Sequence, residues 1–240
     1  MLEKFQQRSY ELENIDKGTY TPEEYEAFIS GLRLVNRWFG DVKALRRSLL
    51  TDIEHTGLKS FSVLDIGAGC GELLRVIAEW ARKTKRSANL FGLEINERSA
   101  AAILDESHDF SEIVSIQADG LTLPFANGSI DYVMSSLTLH HFQNSGVIGI
   151  FREMGRVAKR GIFVIDLHRT PSAYFLFMTI GRLILNNRML REDGALSILR
   201  SFKPQELRSL GQQAQLSCVT VEKSFPSRLI LSAKPAPSHT

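Results

Sequence analysis

The stretch that most constrains this chain is Val63-Leu64-Asp65-Ile66-Gly67-Ala68-Gly69-Cys70-Gly71-Glu72-Leu73-Leu74. A short apolar run passes into three alternate glycines and then into a helical start. It reads as a buried strand, a tight loop and a helix. Glycine carries no Cβ, so the backbone can turn sharply and come close to a ligand. Free N–H groups at the following helix start favour electron-rich or anionic atoms. Gly-x-Gly-x-Gly alone says little. Here Asp65 precedes it and an acidic residue, Glu94, closes the next strand.

From Phe61 onward strands alternate with helices. Ser62–Ile66, Asn89–Ile95, Ile113–Gln117, Ile130–Ser135 and Gly161–Asp166 read as strands. Leu73, Val76, Ile77 and Trp80 mark one helical face, and further helices are expected at 99–104, 145–158 and 204–213. Such alternation implies right-handed crossovers and a parallel sheet. Cys218–Val221 and Arg228–Leu231 add a final strand pair. The expected fold is α/β: a Rossmann-like, seven-stranded, mostly parallel sheet with helices on both faces.

Two helical segments fall outside that unit. Residues 1–60 form an expected N-terminal cap. Thr21-Pro22-Glu23-Glu24 is a helix start, with Thr as N-cap and Glu three residues on. Tyr25, Phe28, Ile29, Leu32, Val35 and Phe39 follow at helical spacing; Gly40 ends that helix, Asp41 caps the next, and Gly57 closes it. Between the core (61–169) and the last helix and strand pair (203–233) lies an insertion, 170–202. Its Ala173–Leu185 run is strongly apolar, with Thr179, Arg182 and Asn186 on one side. It reads as a core or dimer helix, or as a lid over an apolar substrate. A helix lying on a membrane surface is a third reading, disfavoured by the lack of a Lys/Arg-rich face. Residues 234–240 read as a frayed tail.

Composition bounds the partners. The 240 residues are 43% hydrophobic, and 29 basic side chains face 27 acidic ones with no block of like charge. No nucleic-acid surface is indicated. Cys70 and Cys218 stand far apart without metal-ligand spacing, which suits a reduced, cytoplasmic compartment. No apolar run reaches the roughly 18 residues that a membrane span needs.

In open α/β sheets ligands bind beyond the carboxyl ends of the strands. Those ends carry Asp65 with the glycine loop, Glu94-Ile95, Asp119-Gly120-Leu121, Ser135 through Phe142, and Asp166-Leu167-His168-Arg169. Glu94, about 23 residues past Gly71, can accept from both hydroxyls of a ribose. Asp119 can accept from an adenine amino group. A dehydrogenase fingerprint needs Gly-x-Gly-x-x-Gly. Here the third glycine comes one position early, and Glu72 stands where that fingerprint needs a small residue.

These motifs resemble class I S-adenosylmethionine-dependent methyltransferases of the small-molecule branch. Val63–Gly71 looks like the family's first motif, Glu94 like its ribose-binding acid, and Asp119 before Leu123-Pro124-Phe125 like its adenine-binding acid. Asp131-Tyr132-Val133-Met134 with Leu139-His140-His141-Phe142 resembles the fourth-strand motif, and Arg152–Val157 the helix before the fifth strand. The Tyr25–Arg37 stretch and Asp166–Arg169 look like a bacterial subgroup linked to polyketide and other lipophilic aromatic products.

The resemblance implies S-adenosylmethionine as cofactor, with S-adenosylhomocysteine as product, and a small-molecule substrate. Asp65 would order the glycine loop or meet the methionine amino group. Gly67, Ala68, Gly69 and Gly71 would line the cofactor, with Glu94 and Ile95 at the ribose, Asp119, Gly120 and Leu121 at the adenine, and Ser135 nearby. His140, His141 and His168 are candidate bases, because imidazole titrates near neutrality. Asp166 could orient His168 if the strand continues. Tyr25, Arg37, Asp166, Arg169 and Tyr174 are candidate substrate contacts. The segment after the fourth strand, Ser135-Ser136-Leu137-Thr138, lacks the Asn/Asp-Pro-Pro-Tyr/Phe pattern of amino-group methyltransferases. No acidic cluster resembles the magnesium-dependent branch, so no metal is expected. The reading is methyl transfer to an oxygen or carbon. A non-catalytic cofactor-binding subunit and another cofactor-derived group transfer are the alternatives, and the oligomeric state is left open.

Overall fold

The computed structural model describes residues 3–18, 20–21, 23–24, 27, 31, 40–184 and 187–236. Its strands are β1 (Ser60–Ile66), β2 (Ser87–Glu94), β3 (Ile113–Gln117), β4 (Ile130–Ser136), β5 (Ala158–Leu167), β6 (Ser217–Ser224) and β7 (Arg228–Lys234). They form one seven-stranded sheet in the order β3-β2-β1-β4-β5-β7-β6. The first five pair in parallel, and β7 runs antiparallel to both β5 and β6. This is the expected mostly parallel sheet. Strand order reverses between β1 and β4, which opens a crevice at their carboxyl ends.

The helices are α1 (Asn14–Lys17), α2 (Asp41–Leu45), α3 (Thr51–Thr56), α4 (Glu72–Lys83), α5 (Glu97–Glu106), α6 (Asn144–Val157), α7 (Pro171–Ile184), α8 (Arg188–Arg200) and α9 (Pro204–Gln213). A π-helical turn, Arg46–Leu50, joins α2 to α3. Successive strand residues face opposite sides of the sheet. Val63, Tyr132 and Phe163 accordingly pack with Leu45, Leu49, Leu74 and Ile77 on one face. Leu64, Val133 and Val164 pack with Ile150, Phe151 and Leu207 on the other. Both faces are dry, so strands read as apolar runs rather than as alternations.

Several elements differ from the sequence reading in extent. Strand β5 begins at Ala158, because Ala158 pairs with Ile130 and draws exposed Lys159 and Arg160 into the sheet. Asp41 does not cap a helix. Gly40 occupies the cap without a side-chain bond, and the buried Asp41 carboxylate accepts from Arg228 Nε and Nη2 at 2.6 and 2.9 Å. Gly57 closes α3 in the left-handed conformation, as expected. The capping box at Thr21 is formed: Glu24 N–H donates to the Thr21 hydroxyl at 3.3 Å, and Thr21 N–H to the Glu24 carboxylate at 2.9 Å. The stripe that follows (Tyr25, Phe28, Ile29, Leu32, Val35, Phe39), with Arg37, lies outside the described residues, as do Leu185, Asn186 and the tail from 237.

The insertion is an α7–α8 helix pair with its own small core of Ala173, Phe177, Leu190, Ala195 and Ile198. Phe175 and Leu176 stay 45% and 46% exposed on the other side of α7, so only part of its apolar surface is spent within the chain. Among the described residues no helix is long and apolar enough to cross a membrane.

Candidate active site

The glycine loop is shaped by its neighbours on both sides. Gly67 has φ +72°, and a Cβ there would stand 2.4 Å from Thr138 Oγ1. Only glycine lets the loop that follows β4 come this close. Gly67 and Ala68 donate their N–H groups to the Leu93 carbonyl at 2.8 and 3.3 Å. Gly69 has φ +61°, and a Cβ there would meet nothing within 4 Å, so it marks the open side of the loop. Its N–H donates to Glu94 Oε1 at 2.5 Å. Gly71 begins α4 in the left-handed conformation.

Two carboxyl groups dominate the crevice. Burial pushes the Glu94 carboxyl up to about 6, against the opposing pull of the Gly69 and Ile95 N–H groups. Asp65 is 2% exposed, and its Oδ1 is buried without a hydrogen-bond partner. Burial first, and the charge of Glu94 second, hold its carboxyl well above the usual range. Asp65 Oδ1 therefore does not order the loop. A buried polar atom without a partner costs free energy, and a cationic ligand atom would relieve it. S-adenosylmethionine, with its ammonium and sulfonium charges, fits this vacancy in bonding.

The next strand ends carry the remaining candidates. Ile95 and Leu121 are 68% and 41% exposed, so both offer apolar surface to a ring. Asp119 is exposed, and its Oδ1 accepts the Leu121 N–H at 2.9 Å. Gly120 lies close to Ile66. Ser135 is fully buried and donates to the Ile66 carbonyl at 2.8 Å. Its hydroxyl is spent on joining β4 to β1, which corrects its expected place among the cofactor contacts.

After β4 the chain turns at Leu137 (φ 52°) into a 3₁₀ turn, Leu139–His141. That turn brings the buried His140 back onto the end of β5. His140 Nδ1 lies 2.8 Å from Asp166 Oδ1, and its main-chain N–H donates to Asp166 Oδ2 at 3.2 Å. Burial alone would raise the Asp166 carboxyl, but the charge and bond of His140 hold it below the ordinary value. An ionised carboxylate only accepts, so Nδ1 donates to Asp166, and Nε2 points to the other side of the ring. The expected Asp166–His168 pair does not form. His168 instead bridges to Phe202, and its N–H donates to Ser227. Burial, with Lys223 and Arg169 nearby, pushes its imidazole down to about 4.

Residues 64–165 match the model of a methyltransferase domain. The core has the fold of class I S-adenosylmethionine-dependent methyltransferases. A demethylmenaquinone methyltransferase of Bacillus licheniformis is 25% identical over 119 residues, which is 50% of this chain and 49% of that protein. The match thus spans about half the length of that relative. A SAM-dependent methyltransferase from Aquifex aeolicus superposes with a TM-score of 0.61 at 15% identity, covering 90% of this chain and 98% of that one. The magnesium protoporphyrin IX methyltransferase of Synechocystis, solved with bound S-adenosylhomocysteine, gives 0.57 at 17% identity, covering 81% and 83%. The cofactor of this methyltransferase fold is S-adenosylmethionine.

The crevice is closed on one side by an N-terminal strap, which the sequence reading misses. Three buried arginines hold it. Arg8 donates from Nε to the Arg200 carbonyl at 2.7 Å and from Nη2 to the Phe142 carbonyl at 3.0 Å. Arg200 donates to the carbonyls of Glu11, His140 and His141 at 2.5, 3.1 and 2.6 Å. Arg169 donates to the carbonyls of Phe5 and Ser201 and to Glu206. Arg169 is 1% exposed and committed to these partners, which corrects its expected substrate contact. Strap residues 8–13 show no apolar period, so nothing local announces their burial.

The strap also meets the histidines. Glu13 Oε1 lies 3.9 Å from His140 Nε2, and Asp16 Oδ1 lies 3.0 Å from His141 Nδ1. Glu13, His140 and His141 bring one ligand-capable atom each within 4.8 Å of one another. Arg200 stands 3.6 Å from Glu13 and 3.2 Å from Asp16, so a guanidinium already meets this negative charge. The arrangement is an ion-pair network. Tyr25 and Arg37 lie outside the described residues, whereas Tyr174 borders a cavity between α7 and α8.

Proposed function

We propose that the protein transfers the methyl group of S-adenosylmethionine to an oxygen or carbon of a small, lipophilic or aromatic molecule. The setting would be cytoplasmic secondary metabolism, with 170–202 acting as a lid over the acceptor. The carrying observation is the His140–Asp166 pair, placed by the Thr138–Gly67 contact beside the cofactor loop. The names of the Bacillus and Synechocystis relatives, which cite demethylmenaquinone and magnesium protoporphyrin IX, support a small-molecule acceptor.

The bound cofactor supplies a methyl group already activated on a sulfonium. The chain's own work is then positioning and proton handling. Asp65 meets the cationic methionine end, Glu94 the ribose and Asp119 the adenine edge. His140 takes the acceptor's proton at Nε2 while Asp166 fixes its tautomer and steadies the resulting charge. His168 is a poor base at neutral pH, because its imidazole titrates near 4. The test is incubation with methyl-labelled S-adenosylmethionine and a small-molecule extract of the producing cells. A labelled small molecule is expected. Failure of calorimetry to detect S-adenosylhomocysteine binding would end the reading.

A further inference from the structure

His141 is the exposed member of the histidine pair. Its side chain is 28% exposed against 4% for His140, and the two ring centroids lie 4.4 Å apart. Its main-chain N–H donates to the Thr138 carbonyl at 3.1 Å, and the Thr138 side chain is the one that packs against Gly67. A single residue thus ties this turn to the cofactor loop. The charge of His141 also reaches Glu94 and lowers its carboxyl. Asp16 of the strap holds the ring, with Oδ1 and Oδ2 at 3.0 and 3.2 Å from Nδ1. An ionised carboxylate only accepts, so Nδ1 donates to it and Nε2 is the nitrogen left for a ligand.

One face of α8 fixes Asp16 in place. Asp193, Ser197 and Arg200 are buried and recur at helical spacing. Asp193 accepts from the Asn14 and Ile15 N–H groups at 2.8 and 3.0 Å, which anchors the one-turn helix α1. Ser197 donates to Glu13 Oε1 at 3.0 Å, and Arg200 stands 3.2 Å from Asp16 Oδ2. Three buried polar side chains therefore orient a strap whose carboxylate ends on a half-exposed ring. The groups facing that ring are Glu13 and Asp16 of the strap, His140 of its own turn, Arg200 of α8, Glu94 of β2 and Asp166 of β5. Burial lowers the imidazole, but the bond to Asp16 and the charges of Glu13 and Asp16 outweigh burial and Arg200. The ring keeps its proton to a higher pH than a free imidazole does.

We propose that His141, positioned by Asp16 of the strap, is the donor that binds the ionised oxygen of the methyl acceptor. The acceptor class is then an acidic hydroxyl, a phenol or an enol, held as its anion. An amine offers no such charge to an imidazolium. The inference rests on the methyl-transfer reading and adds a donor beside the base of that reading. The acceptor's proton goes to His140, His141 keeps its own, and no bond at His141 forms or breaks. Asp16 touches no substrate and is a positioning residue.

The test uses para-nitrophenol, whose anion absorbs visible light, bound to the full chain with and without S-adenosylhomocysteine. The bound probe should ionise about one pH unit lower than in water, a tenfold preference for the anion. Asp16→Asn and His141→Gln should each cut that preference to under threefold, and Asp16→Glu, which keeps the carboxylate, should restore part of it. S-adenosylhomocysteine affinity should stay within twofold in Asp16→Asn. A probe that ionises as in water, or that fails to bind at millimolar concentration, overturns the proposal. So does a shift that survives both substitutions: a lower melting temperature in Asp16→Asn with the shift intact would make the pair a latch for the strap and nothing more. Absence of S-adenosylhomocysteine binding counts against methyl transfer instead, and the probe titrations without it still decide the role of His141.

Discussion

His140 and Asp166, 26 residues apart, meet at 2.8 Å with both side chains buried. The carboxylate fixes one ring nitrogen and leaves the other to face the strap. If this pair handles the acceptor's proton, Asp166→Asn presents the wrong tautomer. We expect kcat to fall by about 10²–10⁴ with S-adenosylhomocysteine affinity within twofold, and His140→Ala to match it. Equal losses in kcat and in cofactor affinity would make the pair a support of the cofactor pocket.

Glu94 titrates at about 6 in the folded chain, above the ordinary 4.5. A raised carboxyl means that the folded state binds the proton more tightly. Its contribution to stability therefore declines as pH rises from 4.5 to 6. Ribose binding has the opposite sign, because only the ionised group accepts from both hydroxyls. S-adenosylhomocysteine affinity should fall by about tenfold per unit once pH drops below 6. Glu94→Gln should weaken binding at pH 8 and remove its share of that slope. A slope unchanged in Glu94→Gln would assign the proton elsewhere.

Asp65 holds its place in the crevice at a cost, since burial and Glu94 both disfavour its charge. Asp65→Asn removes that charge at nearly constant shape. We expect the cofactor-free protein to melt at the same temperature or higher, by differential scanning calorimetry, and S-adenosylmethionine to bind at least tenfold more weakly. A lower melting point with unchanged affinity would make Asp65 purely structural.

Much of this site is legible in sequence for a physical reason. Asp65, Glu94 and Asp119 each lie at or just past the carboxyl end of a strand, and strand–helix alternation alone puts them at one edge of the sheet. His140 and Asp166 are legible as candidates but not as a pair. Their meeting depends on a positive φ at Leu137 and a single 3₁₀ turn, neither of which has a periodic signature. Arg169 reads as a substrate contact because burial of a guanidinium is tolerated only where distant carbonyls, here Phe5 and Ser201, converge on it. Glu13 and Arg200 are hidden for the same reason. The Asp41–Arg228 pair spans 187 residues, and Asp41 after Gly40 looks like an ordinary cap.

That last pair joins α2 to the start of β7 across the edge of the sheet remote in sequence from the glycine loop. Arg228 and Asp41 are both 2% exposed, with Nε and Nη2 each donating to a separate carboxylate oxygen. Removing one partner strands a buried charge, which costs about 3–5 kcal/mol. Asp41→Ala should therefore lower the unfolding free energy in urea by that amount, with S-adenosylhomocysteine affinity unchanged in the fraction that remains folded. Asp41→Ala with Arg228→Met removes both charges and should recover most of the loss. If the double variant is no more stable than the single one, the damage comes from lost packing around α2 rather than from an unpaired guanidinium.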